Sequence, residues 1–187
     1  MAYVAPTVRS VGDAVTAADY NIMANNDIDF RSYSNRYARA KLTSGNITLN
    51  SNSVWANVST SLDLTLNAST GDVIEYAISG VMSNAAVESY FDVVTIVSSS
   101  PVNSFGNDGT PANPGTSYGI QGFLAGANAV ATLSGSAFRT LVAGDISSGT
   151  VLLRLRYANG GATTRLLNST AAQPWEVWAR NHGPVTT

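Results

Sequence analysis

The chain has 187 residues, of which 44% are hydrophobic, 12% charged and none cysteine. That length suits one domain of average size with an appendage, and it can bury a core without disulfides or metals. A formal net charge of −2, with Lys41 the sole lysine among nine scattered arginines, opposes a general nucleic-acid binder and a polybasic membrane patch.

The opening residues, Met1 to Pro6, lack the basic and apolar regions of a signal peptide. No run approaches the roughly 18 apolar residues of a membrane span. The expectation is synthesis in a cytoplasm, with no membrane insertion. Residues 1–15 read as an extended arm, because Pro6 and Gly12 oppose a helix. Thr16 is a good N-cap, and Asp19 three residues later makes a capping box with Asp in place of Glu. Ala17 and Ala18 are strong helix formers. These signals predict one short α-helix over about 17–30, with weaker helical character to about 38. Tyr20, Met23, Phe30, Tyr33 and Tyr37 supply its apolar stripe, in which Met23, Phe30 and Tyr37 recur every seven residues. The stripe has two readings: it folds back onto the chain's own sheet, or it anchors the chain to symmetry mates or a larger assembly.

From Lys41 onward the period changes to two. Leu62, Leu64 and Leu66 alternate with polar residues, as do Ile74, Tyr76 and Ile78. Phe91, Val93, Thr95 and Val97 share one face of a long strand. Phe138, Thr140 and Val142 alternate, as do Val151, Leu153, Leu155 and Tyr157, and then Trp175, Val177 and Ala179. Weaker strands are predicted near 46–50, 53–58, 128–133 and 163–168. Turns are expected at Ser69 to Asp72, Ser134 to Ser136, Gly144 to Gly149 and Asn159 to Gly161, with Asn159-Gly160 the strongest hairpin signal. The segment 98–126, with Pro101, Pro111, Pro114 and glycines from Gly106 to Gly122, reads as a long loop ending in an apolar strand from Ile120 to Leu124. Phe105, Asn107, Asp108 and Tyr118 are its candidate surface-contact residues. The expected fold is mainly β: an antiparallel β-sandwich, jelly-roll-like, preceded by an extended arm and one short α-helix. The expected organisation is an arm and helix over 1–40 and a β-sandwich over 41–187.

Catalytic constellations are nearly missing. His182 is the single histidine and reads as a polar tail residue, so a multi-histidine metal site is impossible. Glu75, Glu88, Asp92 and Glu176 are the strand carboxylates that a glycoside hydrolase would need, yet such groups more often pair with arginines such as Arg154 or Arg156. Asn107-Asp108-Gly109 and Gly71-Asp72 read as turn chemistry rather than calcium ligands. No enzyme activity, cofactor or metal is expected. Trp55, Trp175, Trp178 and Tyr118 are candidate platforms for sugar rings, and Trp175 and Trp178 fall on opposite strand faces.

The stretch from Val11 to Asn21 contains Gly12-Asp13-Ala14-Val15-Thr16-Ala17-Ala18-Asp19-Tyr20-Asn21. It resembles a recurrent N-terminal pattern, G-x-x-V-T-A-A-x-x-N, of tailed-bacteriophage virion proteins, where it starts a short helix ahead of a β-rich display domain. Gly71 to Glu75, Phe91 to Val97, Leu153 to Tyr157 and Trp178 to Pro184 resemble strands of the same jelly-roll domain. The resemblance implies a non-enzymatic virion protein, made in the host cytoplasm, with an anchoring N-terminus and an outward β-domain. Its implied partners are itself, as a homotrimer, and other virion proteins, with a host-surface glycan as a further candidate. A tail-fibre or minor-tail protein is the leading expectation. A capsid decoration protein is the alternative, and a carbohydrate-binding module or glycan-active enzyme the second.

Overall fold

Period-two alternation dominates the chain, and the chain folds accordingly. The computed structural model describes residues 21–22, 35–50, 54–83, 89–106, 120–122, 130–159, 165–170 and 172–184. Asn21 and Ile22 are helical. The rest of the expected arm and helix, including Tyr20, Met23, Phe30 and Tyr33, lies outside the described residues.

The strands are β1 (Tyr37–Leu42), β2 (Gly45–Leu49), β3 (Ala56–Asn57), β4 (Leu64–Asn67), β5 (Asp72–Ser83), β6 (Ser89–Val97), β7 (Ser100–Ser104), β8 (Ile120–Gly122), β9 (Val130–Thr140), β10 (Thr150–Asn159), β11 (Arg165–Ser169) and β12 (Trp175–Pro184). Short 3-10 turns occupy Thr60–Leu62 and Ala143–Asp145. All pairings among the described strands are antiparallel. In one sheet, β12 and β11 lie end to end along one edge of β5, with β1 and β2 outside them and β9 on the opposite edge. In the other sheet, β3 and β4 lie along β10, which pairs β6, and β7 and β8 lie along the far edge of β6. The first and last described strands, β1 and β12, are therefore neighbours in one sheet, and the chain wraps between the sheets. The fold is an antiparallel β-sandwich with jelly-roll order.

Four local expectations are corrected. Tyr37 and Ala38, read as the end of a helix, begin strand β1, which straddles the boundary drawn at 40/41 and pairs with β12. Ser134 to Ser136, read as a turn, lies inside β9, because β5 offers an unbroken partner from Val73 to Ser83. The long loop from 98 opens with a hairpin: Ser98 and Ser99 both take positive φ (49° and 68°), which twists the two-residue turn the way paired strands need. Asn159 does not open a hairpin between β10 and β11, since those strands belong to different sheets.

The core fills the space between the sheets. Ile74, Tyr76, Ile78 and Met82 of β5 and Trp175, Val177 and Ala179 of β12 face Phe91 and Val93 of β6 and Val151, Leu153, Leu155 and Tyr157 of β10. Each buried Val, Leu, Ile, Phe or Met side chain among them contributes about 1.5–3 kcal/mol by leaving water. Trp175 is fully buried, and its indole N–H donates to the Val81 carbonyl at 2.7 Å. Its ring lies over Gly80, leaving no room for a side chain there. Tyr76 is also fully buried, and its hydroxyl meets no hydrogen-bond partner among the described residues. Burial, reinforced by the charge of Asp63, pushes that phenol far above its ordinary pKa. Tyr76→Phe is expected to leave stability unchanged or raise it by about 1 kcal/mol, because it removes a desolvated group that gains nothing. Paired thermal melts check this; a clear loss of stability in the variant would contradict it.

Candidate functional site

The buried polar groups are held in hydrogen-bonded networks, and three carboxylates show how. Asp92 of β6 accepts from Arg156 Nε at 3.1 Å and Nη2 at 2.7 Å, from the Ser104 hydroxyl at 2.6 Å and from the Gly106 N–H at 3.1 Å. Trp55 covers the Arg156 guanidinium, 4.7 Å from ring centroid to carbon. Asp145 accepts from Thr95, Asn103, Arg139 and the Val142 N–H. Burial pushes its carboxyl up, but those hydrogen bonds and the Arg139 charge outweigh it, so the pKa lies below the ordinary value. Asp72 accepts from the Ser69 N–H and from the buried Asn181 amide, which also donates to the Asn67 carbonyl. Arg154 pairs with Asp63, just ahead of β4.

The open chemistry lies on the outer face of the β1–β12–β5–β9 sheet. Alternation turns Glu176, Trp178, Arg180 and His182 of β12 outward, while Trp175 turns into the core. Register then sets Tyr37, Arg180, Glu75 and Phe138 side by side across four strands. The Tyr37 and Trp178 rings stack with centroids 6.4 Å apart and planes 27° apart. His182 Nε2 lies 2.9 Å from Glu75 Oε2, and its ring lies 6.3 Å from that of Phe138. Tyr37 and Phe138 are 54% and 57% exposed, unusual for rings with no place in the core. Arg36, Tyr37, Glu75, Trp178, Arg180, Asn181 and His182 line a groove of about 690 Å³. Beyond it, Arg39 pairs with Glu176 and Lys41 lies 3.5 Å from the same carboxylate. The hydrogen bond from Arg39 is the main cause of the lowered Glu176 pKa; burial opposes it, and the charges of Arg39 and Lys41 add to it.

Several expected site residues fall elsewhere. Phe105, expected at a contact surface, is 7% exposed and belongs to the core cluster. Asn107, Asp108, Tyr118 and Glu88 lie outside the described residues. Trp55 is engaged with Arg156, which leaves Trp178 as the candidate sugar platform on an open face among the described residues. His182, expected in a polar tail, sits in strand β12 beside Glu75. Arg180 and Phe138 were missed as site residues. The alternation of β12 could have revealed Arg180, because it places that residue on the face of Trp178. Among the described residues no group of three or more His, Asp or Glu is placed to hold a metal ion.

No family model and no curated protein matches the chain. A chain in the solved structure of infectious bursal disease virus, Gt strain, is similar at 8% sequence identity and a TM-score of 0.26, over 81% of this chain and 46% of that one. The chain thus spans less than half the length of that neighbour, and a superposition so shallow carries no argument about fold or function.

Proposed function

We propose that this chain is a non-enzymatic structural component of a tailed-phage particle, anchored by its N-terminal segment and projecting the jelly roll. The observation that supports the reading is where the chain enters the sandwich. The Asn35 carbonyl accepts from the Asn67 N–H, and the Arg36 carbonyl accepts from the Asn181 N–H, so residues 35 and 36 are tied into the sandwich through their backbone. That entry lies beside the outer face that carries the exposed Tyr37 and Phe138 rings. A mounted domain would use such an arrangement, with an attachment segment leading in at one edge and an apolar contact face next to it. In this reading the jelly rolls pack as a homotrimer and contact other virion proteins.

A chain lacking residues 1–34 is expected to fold, with a cooperative melt like that of the full chain, but to be absent from assembled particles. Normal incorporation of the truncated chain would sink the anchoring role, and failure to fold would assign the segment to the core. Localisation by cryo-electron microscopy then separates the placements. A few copies at the tail support the tail-fibre or minor-tail reading, and copies across the head lattice support capsid decoration. The outer-face groove favours a second reading, a carbohydrate-binding module, because it joins stacked aromatic faces to polar hydrogen-bonding groups.

A further inference from the structure

We infer that the groove on the outer face of the β1–β12–β5–β9 sheet binds a carboxylate-bearing pyranose, of the uronic-acid or sialic-acid type. The inference deepens the host-surface part of the proposed function and rests on it only for biological context. Tyr37 and Trp178 present a stacked aromatic wall, apolar in its faces and able to cover the C–H face of a sugar ring. The groove lining carries the Arg180 guanidinium and the Glu75 carboxylate. Glu75 is already engaged by His182 at 2.9 Å. Arg180 has no ion-pair partner among the described residues and stands directly across the strands from Tyr37 and Glu75. A guanidinium in that position can hold a sugar carboxylate through two parallel N–H···O bonds. The free acceptor capacity of Glu75 then suits a ring hydroxyl. The Arg180 guanidinium favours an acidic over a neutral sugar, and the aromatic wall favours a sugar ring over an inorganic anion. Four strands at about 4.8 Å spacing make the face about 14 Å wide from β1 to β9, room for more than one sugar ring, with His182 in the lining and Phe138 next to it.

The test uses the full-length protein, titrated with trigalacturonic acid and 3′-sialyllactose, and with cellotriose and lactose as neutral controls. Intrinsic tryptophan fluorescence, to which Trp178 contributes beside Trp55 and Trp175, and calorimetry are the readouts. At least one acidic probe is expected to bind at millimolar concentration or below, at least about tenfold tighter than either neutral sugar. Arg180→Ala is expected to weaken that binding about tenfold or more, and Tyr37→Ala to weaken it comparably, with melting temperatures unchanged because both side chains lie outside the core. Binding of the acidic probe should also weaken as salt is raised. No binding of either acidic probe, equal binding of neutral sugars, or wild-type affinity in Arg180→Ala would overturn the inference. So would a finding that Trp178→Ala changes the oligomeric state while no sugar binds, since the groove would then be a contact between copies. Each of these results leaves particle localisation standing, so the failure of this site and the failure of the virion reading are separable.

Discussion

Asp145→Ala is expected to destabilise the protein by about 3–5 kcal/mol, the largest effect of any single polar substitution considered. Asp145 lies in the 3-10 turn after β9 and is fully buried. Its Oδ1 accepts from Thr95 of β6 at 2.6 Å and from Asn103 of β7 at 2.7 Å, and its Oδ2 accepts from Arg139 of β9 and the Val142 N–H. Arg139 continues the link by donating to the Ser104 carbonyl at 2.9 Å. One carboxylate therefore ties β9 of one sheet to β6 and β7 of the other. Deleting it strands a half-buried guanidinium and several desolvated donors at once, and each such group has a cost. Since domains of this kind are stable by only about 5–15 kcal/mol, the variant should melt far earlier or fail to fold. Urea titration of both proteins measures the loss. A difference under about 1 kcal/mol would show that the cross-link is dispensable.

The same group makes the protein acid-sensitive in a predictable direction. Its folded pKa is held below the unfolded value of about 3.9, so the folded state binds the proton less readily. Its contribution is fully present above that unfolded value and fades as pH falls through the folded one. Asp145→Asn removes the titrating charge but keeps the size. It should be less stable than the parent at neutral pH, and the gap should narrow below about pH 4. A gap that stays constant from pH 7 to pH 2 would assign the acid lability to other carboxylates.

Gly80→Ala is expected to cost about 2–4 kcal/mol, although it adds a single methyl group to a strand. A Cβ at position 80 would sit 2.5 Å from Trp175 Cε2 and 2.7 Å from Cγ, well inside contact distance. The indole cannot retreat cheaply. Its N–H is held by the Val81 carbonyl, and its ring packs against Phe91 with centroids 6.0 Å apart. Overpacking contributes about 1–3 kcal/mol, and losing the indole hydrogen bond about 0.5–1.5 kcal/mol more. The two sites form one unit, so a double-mutant cycle with Trp175→Phe should show a coupling above about 0.5 kcal/mol, the smaller ring relieving part of the clash. Strict additivity would mean that the methyl is accommodated by the backbone instead.

Much of this architecture was legible from alternation alone. Ile74, Tyr76 and Ile78, Val151 to Tyr157, and Trp175 with Val177 and Ala179 each wrote a buried face into the chain at period two, and each is buried. The same rule placed Trp175 and Trp178 on opposite faces. Ser134 to Ser136 misled because small polar residues favour turns locally, while β5 supplied a partner strand that outweighed that preference. Ser98 and Ser99 lack the Asn-Gly signature of their turn and adopt its strained φ values because the flanking strands pair.

The candidate site was only half readable. Trp178, Arg180 and His182 share a face by their spacing, a local property that any reader of β12 can count. That Tyr37 stands beside Trp178, and Glu75 beside His182, depends on pairings between residues more than one hundred positions apart. The β class and most inward residues followed from short-range periodicity, because a strand's two faces are set by its own backbone geometry. The order of the strands, the burial of Phe105 and the groove on the outer sheet came from registers between distant segments, which the packing of the two sheets selects.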